Sequence, residues 1–277
     1  MNAVDNASAA SGLDGMTEKQ AFKALCDACG DGDLLRIGKL LLKVHDPNAR
    51  DSYGESPVHK AARGGHQNVV KYLRENWGAN VRLKNSAGLT PLHLAAEKGA
   101  SHVETARYLL KHGKADPKQL TPEQETPLHL AAKVPGDSIM CQYLVYQGAD
   151  PSTRNKAYEN PLHVAARLGH EEHVVFFATV GPEKLNLDMR NKDDDTALHL
   201  AAKHGNVAMI EALIKGGARP NEQNKSTGET ALHVAAKGGH AKASEALIKG
   251  GAHPGVPNAR GKTPVQVAWG SARNAFP

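Results

Sequence analysis

One short sequence pattern recurs six times along the chain at nearly constant spacing, and this repetition limits the possible folds more than any other feature. Each copy has Ser, Thr or Asn, then Pro or Ala, then Val or Leu, then His, with an Ala-Ala pair starting two residues further on. A unit of this length cannot bury an apolar face alone, so the units must stack against one another. The six histidines, separated by 34, 36, 34, 36 and 34 residues, are His59, His93, His129, His163, His199 and His233.

Each copy carries the signals of a helix N-terminus. The leading Ser, Thr or Asn is a residue type that caps helices, and a Pro follows it in five of seven copies if 263–266 is included. A glycine such as Gly65 or Gly169 then ends the short helix. A second amphipathic stretch follows, for example 209–214, and ends at another glycine. The sequence therefore predicts helix, turn, helix and long polar connector in each unit.

The T-P-L-H-x-A-A pattern and its period resemble the ankyrin repeat, and the resemblance extends from about Met16 to Pro277. It implies an all-α solenoid of antiparallel helix pairs with β-hairpin-like finger loops along one side. Residues 1–15 lack periodicity, and we predict that they are disordered. The repeats implied are approximately 16–50, 51–84, 85–118, 119–154, 155–190, 191–224 and 225–257, with a partial repeat at 258–277.

The ends and the middle of the array depart from the pattern. The first repeat is degenerate, and the last is predicted to carry one helix only, so that either Trp269 and Phe276 close the stack or the chain continues beyond it. The segment 134–137 contains Pro135 and should end its helix early. Insertions in the connectors, together with Phe176 and Phe177 in place of two aliphatic residues, predict a non-standard shape between 119 and 190.

Nothing in the sequence predicts catalysis, a cofactor or a metal site. The phosphate-binding, dinucleotide-binding, nucleophile-elbow and zinc-protease motifs are absent. The repeated histidines should lie in different layers about 8–10 Å apart, too far to share a metal bound at about 2.0–2.1 Å. The resemblance implies that they hydrogen-bond the capping residue and neighbouring backbone. Cys26 and Cys29 form a C-x-x-C without a second pair, and we interpret them as small core residues.

Basic residues provide the candidate binding surface of a chain with net charge +5. The residue after each Ala-Ala pair is cationic in five of six copies, and the resemblance implies that this position faces the concave side. Cations and two tyrosines in the finger connectors extend the row, although solvated surface charge is the alternative interpretation. The predicted partner-binding residues are Arg63, Lys98, Lys133, Arg167, Lys203, Lys237, Tyr53, Tyr158, Arg154, Lys156, Arg190 and Lys192.

These features favour a non-catalytic scaffold that binds another protein, with an acidic partner favoured by the basic groove. Two alternatives stay open: a regulatory ankyrin arm of a larger protein or enzyme, and a basic module that binds nucleic acid. The low aromatic content of 4% argues against base stacking in the second case. The chain lacks a signal sequence, an apolar run of ~20 residues and an even cysteine count. We therefore expect a monomer in the cytosol or nucleus, without membrane insertion.

Overall fold

The computed structural model describes residues 15–181 and 183–276. The segment predicted to be disordered lies outside these residues, except for Gly15. The chain divides into two compact parts, an N-terminal part of residues 1–122 and a C-terminal part of residues 123–277. All regular structure in the described residues is helical.

The described residues of the N-terminal part form six α-helices. The first, third and fifth form one layer by packing α1 on α3 and α3 on α5, while α4 packs on α6 in a second layer. A 3-10 turn, Gly99–His102, precedes α6. The helices are α1 (Glu18–Asp31), α2 (Leu34–Val44), α3 (Pro57–Gly64), α4 (Gln67–Trp77), α5 (Pro91–Ala96) and α6 (Val103–Lys111).

The C-terminal part repeats the same two-layer packing. The first helix of each repeat packs on the next first helix, and α10, α12 and α14 form the layer of second helices behind them. The helices are α7 (Pro127–Ala132), α8 (Ile139–Tyr146), α9 (Pro161–Leu168), α10 (Glu171–Ala178), α11 (Ala197–His204), α12 (Val207–Lys215), α13 (Ala231–Lys237), α14 (Ala241–Lys249) and α15 (Pro264–Val267).

The irregular segments lie where the sequence predicted them. Helix α7 stops at Ala132, directly before the segment that contains Pro135, as expected. Phe177 is fully buried but Phe176 is only half-buried, so only one of the two rings enlarges the core. The last repeat has a second element that the sequence analysis missed, a 3-10 helix at Gly270–Ala275 that packs on α14.

The closure of the last repeat corrects one expectation. Phe276 packs on Ala236, Ala268 and Ala272, as predicted. Trp269, in contrast, is 72% exposed and does not close the stack. Its backbone N–H donates to the Ala236 carbonyl at 3.0 Å, which holds the chain close to the preceding helix and leaves the ring outside.

An Asp or Asn side chain shapes each regular finger loop. Oδ1 of Asn155 accepts the backbone N–H groups of Ala157 and Glu159 at 2.9 and 3.0 Å. Neighbouring fingers are then joined by a backbone hydrogen bond, such as Lys192 N–H to the Ala157 carbonyl at 2.9 Å. The residues in this role, in both parts of the chain, are Asp51, Asn85, Asn155, Asn191, Asn224 and Asn258.

The repeated histidine links the start of its own helix to the next finger. His129 is fully buried, and its Nδ1 accepts the backbone N–H of Thr126 at 3.2 Å. Its Nε2 donates to the Glu159 carbonyl, 30 residues later, at 3.1 Å. The predicted structural role is therefore confirmed. Nε2 also donates to a backbone carbonyl later in the chain in His59, His163, His199 and His233.

A second set of histidines caps the C-terminal ends of first helices. Nε2 of His66 donates to the Gly30 carbonyl at 2.8 Å, and Nε2 of His204 donates to the Arg167 carbonyl at 2.8 Å. The last carbonyls of a helix have no partner within it, so these bonds satisfy groups that would otherwise need water. The residues in this role are His66, His102, His170, His204 and His240.

Replacing His129 with Ala should lower the free energy of unfolding by roughly 1–3 kcal/mol, because two buried backbone groups lose their partner. His129→Gln should lose less, since Gln266 at the equivalent position of the last repeat accepts the Thr263 N–H at 3.1 Å. Chemical denaturation measures both values, and His253→Ala, at an exposed position, is the matched control. Equal losses in His129→Ala and His253→Ala would contradict the structural role.

Acid should destabilise the protein before its carboxylates titrate. Burial lowers the pKa of His59, His129, His163, His199 and His233, and that of His163 falls to about 4. The unfolded chain then binds more protons than the folded chain below pH about 6.5, so stability decreases as the pH falls. His163 alone should cost about 2 kcal/mol by pH 5. Denaturation midpoints at pH 7.5 and pH 5 measure this, and equal midpoints would contradict it.

Candidate interaction surface

Most cations that follow an Ala-Ala pair are held by a carboxylate eight residues earlier. Arg167 binds Glu159 with two nitrogens, Nε at 2.6 Å and Nη2 at 3.1 Å. The glutamate is the last residue of the finger, and Asn155 fixes its backbone N–H, so its side chain extends over the first helix. The same pairing joins Arg63 to Glu55, Lys133 to Glu125 and Lys237 to Glu229.

Two of these carboxylates, Glu55 and Glu159, are buried. Glu55 is 4% exposed, and Lys60 and Arg63 both bind it. Burial alone would raise the pKa of Glu55, but hydrogen bonds and charge from Lys60 and Arg63 hold it below its usual value. The hydrogen bond to Glu159 likewise raises the pKa of Arg167. The row is therefore a series of fixed ion pairs, where the sequence predicted a continuous basic stripe.

Two members of the row differ. Lys203 has no ion pair within the described residues. The carboxylate eight residues before it belongs to Asp195, which is one methylene shorter than the glutamates of the other repeats and accepts Nδ2 of Asn224 at 2.7 Å. In the third repeat Leu89 stands where the glutamate would be. The residue after its Ala-Ala pair, which is cationic in the other repeats, is Glu97. Lys98 beside it is exposed.

The finger cations also divide into two groups. Lys156 pairs with Glu123 at 3.2 Å, and Arg190 pairs with Glu222 at 2.7 Å. Arg154 and Lys192 are exposed, and neither forms an ion pair in the described part of the chain. Among the predicted binding residues of the C-terminal part, the cations without an ion pair in the described residues are therefore Arg154, Lys192 and Lys203.

Both predicted finger tyrosines are exposed, Tyr53 by 72% and Tyr158 by 57%. Tyr158 has φ 56°, in the left-handed region. The equivalent finger positions in other repeats include Gly54, Gly88 and Gly261, which adopt that region without strain, and Gln124 and Asp194, which adopt it with a polar side chain. A side chain there costs roughly 1–2 kcal/mol, so Tyr158 occupies its position against the local preference of the backbone.

Polar clefts lie between the fingers and the first helices. One of about 530 Å³ is lined by Asp193, Lys203 and Lys237 among others. Another of about 420 Å³ brings Lys133, Lys156 and Lys192 together with Glu123 and Glu125. The N-terminal part has a comparable cleft of about 600 Å³, lined by Tyr53, Glu55, Lys60, Arg63, Asn85, Ser86, Ala87 and Leu89.

The cysteines are part of the core. Cys26, Cys29 and Cys141 are buried, and burial raises the pKa of Cys26 to about 12 and that of the other two thiols still further. A protonated thiol is a poor nucleophile and a poor metal ligand. Among the described residues, no three His, Cys, Asp or Glu side chains converge as a metal site. No described helix is long and apolar enough to span a bilayer.

The carboxylates that hold the row are the residues that sequence reasoning missed. An acidic residue directly precedes the capping Ser, Thr or Asn in five repeats, and that recurrence was the available signal. The residues are Glu55, Glu125, Glu159, Asp195 and Glu229.

The Arg167–Glu159 pair should contribute more to stability than an exposed pair. A double-mutant cycle with Arg167→Ala and Glu159→Ala should give a coupling energy of about 1 kcal/mol, because Glu159 is buried and bound by two nitrogens. The Lys156–Glu123 pair, exposed on both sides, is the matched control and should give a value near zero. Equal coupling in the two cycles would contradict the fixed pairing.

Comparison with known proteins agrees with this geometry. The family model for ankyrin repeats (3 copies) matches residues 10–85, 77–155, 128–224 and 205–275. Human SH3 and multiple ankyrin repeat domains protein 2 is 29% identical over 191 residues, which cover 68% of this chain and 10% of that protein. Human transient receptor potential cation channel subfamily A member 1 is 31% identical over 174 residues, covering 61% of this chain and 15% of that protein. The chain thus matches a small fraction of the length of these relatives.

Solved structures show the same fold. The human ASB11 ankyrin repeat domain superposes with a TM-score of 0.71 at 28% identity, covering 83% of this chain and 98% of that one. The ankyrin repeat domain of Bcl-3, described as a unique member of the IkappaB protein family, gives 0.65 at 27% identity, covering 78% and 95%. The chain belongs to the ankyrin repeat family, all-α solenoids with finger loops whose repeats are a general protein–protein interaction module.

Proposed function

We propose that this chain is a non-catalytic scaffold that binds an acidic segment of another protein along the fingers and polar clefts of its C-terminal part. The observation that carries the proposal is Tyr158, an exposed aromatic side chain in a left-handed backbone conformation at a finger position that is glycine in four repeats and the polar residues Gln124 and Asp194 in two others. Strained positions of this kind cluster at functional sites. Exposed aromatic residues are frequent anchors in interfaces.

The charges around Tyr158 favour an acidic partner. Arg154 precedes it in the same finger, and Lys192 belongs to the next finger, whose backbone is hydrogen-bonded to Ala157. Neither cation has a compensating carboxylate in the part of the chain that the structure describes. Uncompensated charge at such positions accelerates association with a partner of opposite sign and selects against like charge.

The fixed ion pairs contribute rigidity to the same surface. Arg167 and Lys133 are already held by Glu159 and Glu125, so a partner need not immobilise them on binding. Immobilising a long side chain costs about 0.5–1.5 kcal/mol, and this cost is absent for both residues. The pairs therefore suit recognition by hydrogen bonding, while the uncompensated cations determine the sign of the partner.

A nucleic-acid partner is less well supported. Most of the cationic row is neutralised, and Tyr158 is the only Tyr, Trp or Phe in the regular fingers of the C-terminal part. Single-stranded nucleic acids are bound by successive aromatic rings along a positive groove. The small share of its relatives that the chain matches leaves a regulatory arm of a larger protein as the second candidate, with the same surface in use.

Charge reversal at the fingers tests the proposal. The probe is a fluorescein-labelled extended peptide rich in Asp and Glu, with a Lys-substituted twin, measured by anisotropy at low salt. Arg154→Glu with Lys192→Glu should weaken binding of the acidic peptide at least tenfold. Lys215→Glu with Lys242→Glu makes the same change in net charge on α12 and α14 and should have less than a twofold effect.

Tyr158→Gly separates binding from stability in the same assay. The melting temperature should stay equal or rise, because glycine relieves the left-handed backbone, while the affinity for the acidic peptide should fall. Two results would contradict an acidic protein partner. One is that Lys215→Glu with Lys242→Glu weakens binding as much as the finger variants do. The other is that a 20-nucleotide single-stranded DNA binds more tightly than the acidic peptide and loses that binding in the finger variants.

A further inference from the structure

The outer surface of α8 and α10 differs from that of the other second helices. Helix α8, with the sequence IMCQYLVY, has no charged residue, and α10 has charges only at Glu171 and Glu172 in its first turn. Helices α12 and α14 carry Glu and Lys on their outer sides, as expected for a helix with one face in water. On its outer side α8 instead carries Ile139 and Tyr146 beside the amide of Gln142, and α10 carries Val175 after its two glutamates.

The register of the buried residues shows which positions have changed. In α12 the core residues Met209, Ile210 and Leu213 alternate with exposed Glu211 and Lys215. The equivalent of Lys215 in α8 is Tyr146, which is 83% exposed, and the equivalent of Glu211 in α10 is Val175, which is 39% exposed.

Exposed apolar side chains therefore lie on the outside of α8, next to the exposed amide of Gln142. Ile139 is 49% exposed, and Tyr143 and Tyr146 lie four and seven residues after it, on the same side of the helix. On α10, half-buried Phe176 adjoins Val175, with its ring centroid 5.1 Å from that of Phe177. Several large apolar side chains exposed on the second helices of two consecutive repeats, rather than scattered singly, indicate an interaction site.

Acidic residues border this apolar surface. The segments 134–153 and 168–181, which contain both helices, have no Lys or Arg although the chain has net charge +5. Their carboxylates are all exposed: Asp137 before α8, Asp150 after it, and Glu171 and Glu172 at the start of α10. This border has the opposite sign to the finger surface.

A buried polar group lies on the inner side of α10. His173 of α10 is 2% exposed, and its Nδ1 has no hydrogen-bond partner within the described residues. An apolar or small residue fills the same register in the neighbouring second helices, namely Met140, Met209 and Ala243. Burial lowers the pKa of His173, so the ring is neutral at pH 7.

We propose that this outer face of α8 and α10 binds an amphipathic helix from another protein, with an apolar side against Ile139, Tyr146 and Val175 and a basic flank against Asp137, Glu171 and Glu172. A helix laid on a second helical layer contacts residues at spacings of three, four and seven. The acidic border selects the basic flank. A two-fold pairing of two copies through this face would place like carboxylates together, which disfavours self-association.

The probe is a labelled 18-residue helical peptide with Leu at one face and Lys elsewhere, compared with a twin in which Glu replaces Lys. The Lys peptide should bind at least tenfold more tightly than the Glu peptide. Hydrogen exchange should show protection within 139–146 and 171–178 on binding. Equal affinity of the two peptides, or protection confined to other segments, would overturn the proposal.

Variants on the full chain locate the binding site. Tyr146→Lys with Val175→Lys should weaken the Lys peptide at least tenfold, and the fold should tolerate Lys at position 146 because Lys215 stands at the same register of α12. Glu245→Lys on α14 makes the same change of +2 in net charge and should have less than a twofold effect. Tyr146→Ala with Val175→Ala removes contacts without adding charge and should weaken binding several-fold.

Sedimentation of the unliganded chain completes the test. We expect the unmodified chain and both double variants to sediment as monomers. A dimer that dissociates in Tyr146→Lys with Val175→Lys would assign this face to a second copy and overturn the proposal. Unchanged peptide binding in both double variants would overturn it as well.

Discussion

The buried histidine of each repeat is the contact on which the rest of this structure depends. Its Nδ1 accepts the N–H of the residue that caps its own helix, and its Nε2 donates to a carbonyl at the end of the following finger. The ring thereby fixes the start of one helix relative to the start of the next. Because each ring is buried, losing either bond would leave a backbone group without a hydrogen-bond partner. The free energy of unfolding would then fall by roughly 1–3 kcal/mol.

The same link positions the charges on the surface. The carbonyl of Glu159 receives His129, and the carboxylate of Glu159 holds Arg167. Glu229 repeats this arrangement with His199 and Lys237. The residue that joins two repeats inside the protein therefore also determines whether a cation on the outside is neutralised. Where the shorter Asp195 replaces the glutamate, Lys203 has no ion pair within the described residues.

The C-terminal part consequently has two surfaces of opposite chemistry. The fingers combine Tyr158 with uncompensated Arg154 and Lys192, whereas the outer helices combine apolar side chains with an acidic border. The two surfaces are built from different elements, the finger loops and the second helices. A scaffold with these two surfaces could hold an acidic segment and a basic helix at the same time, without any change in its own fold.

The sequence predicted what is local and repeated. Thr126 and Pro127 mark a helix start from their own chemistry, and six aligned histidines leave little choice of role. It did not predict the pairing of Glu159 with Arg167, because residues eight apart meet only once the cap turns the finger over the helix. The strain at Tyr158 and the exposure of Trp269 also depend on tertiary contacts, since an aromatic residue in a turn or at a chain end fits a core and a surface equally well.

The tautomers of the buried histidine rings, measured by long-range proton–nitrogen NMR at pH 7, are the sharpest test of this link between repeats. We expect neutral rings that carry their proton on Nε2 in His59, His129, His199 and His233, because Nδ1 of each accepts the backbone N–H of the capping residue. Imidazolium rings, or rings protonated on Nδ1, would contradict the link between repeats and the surface arrangement derived from it.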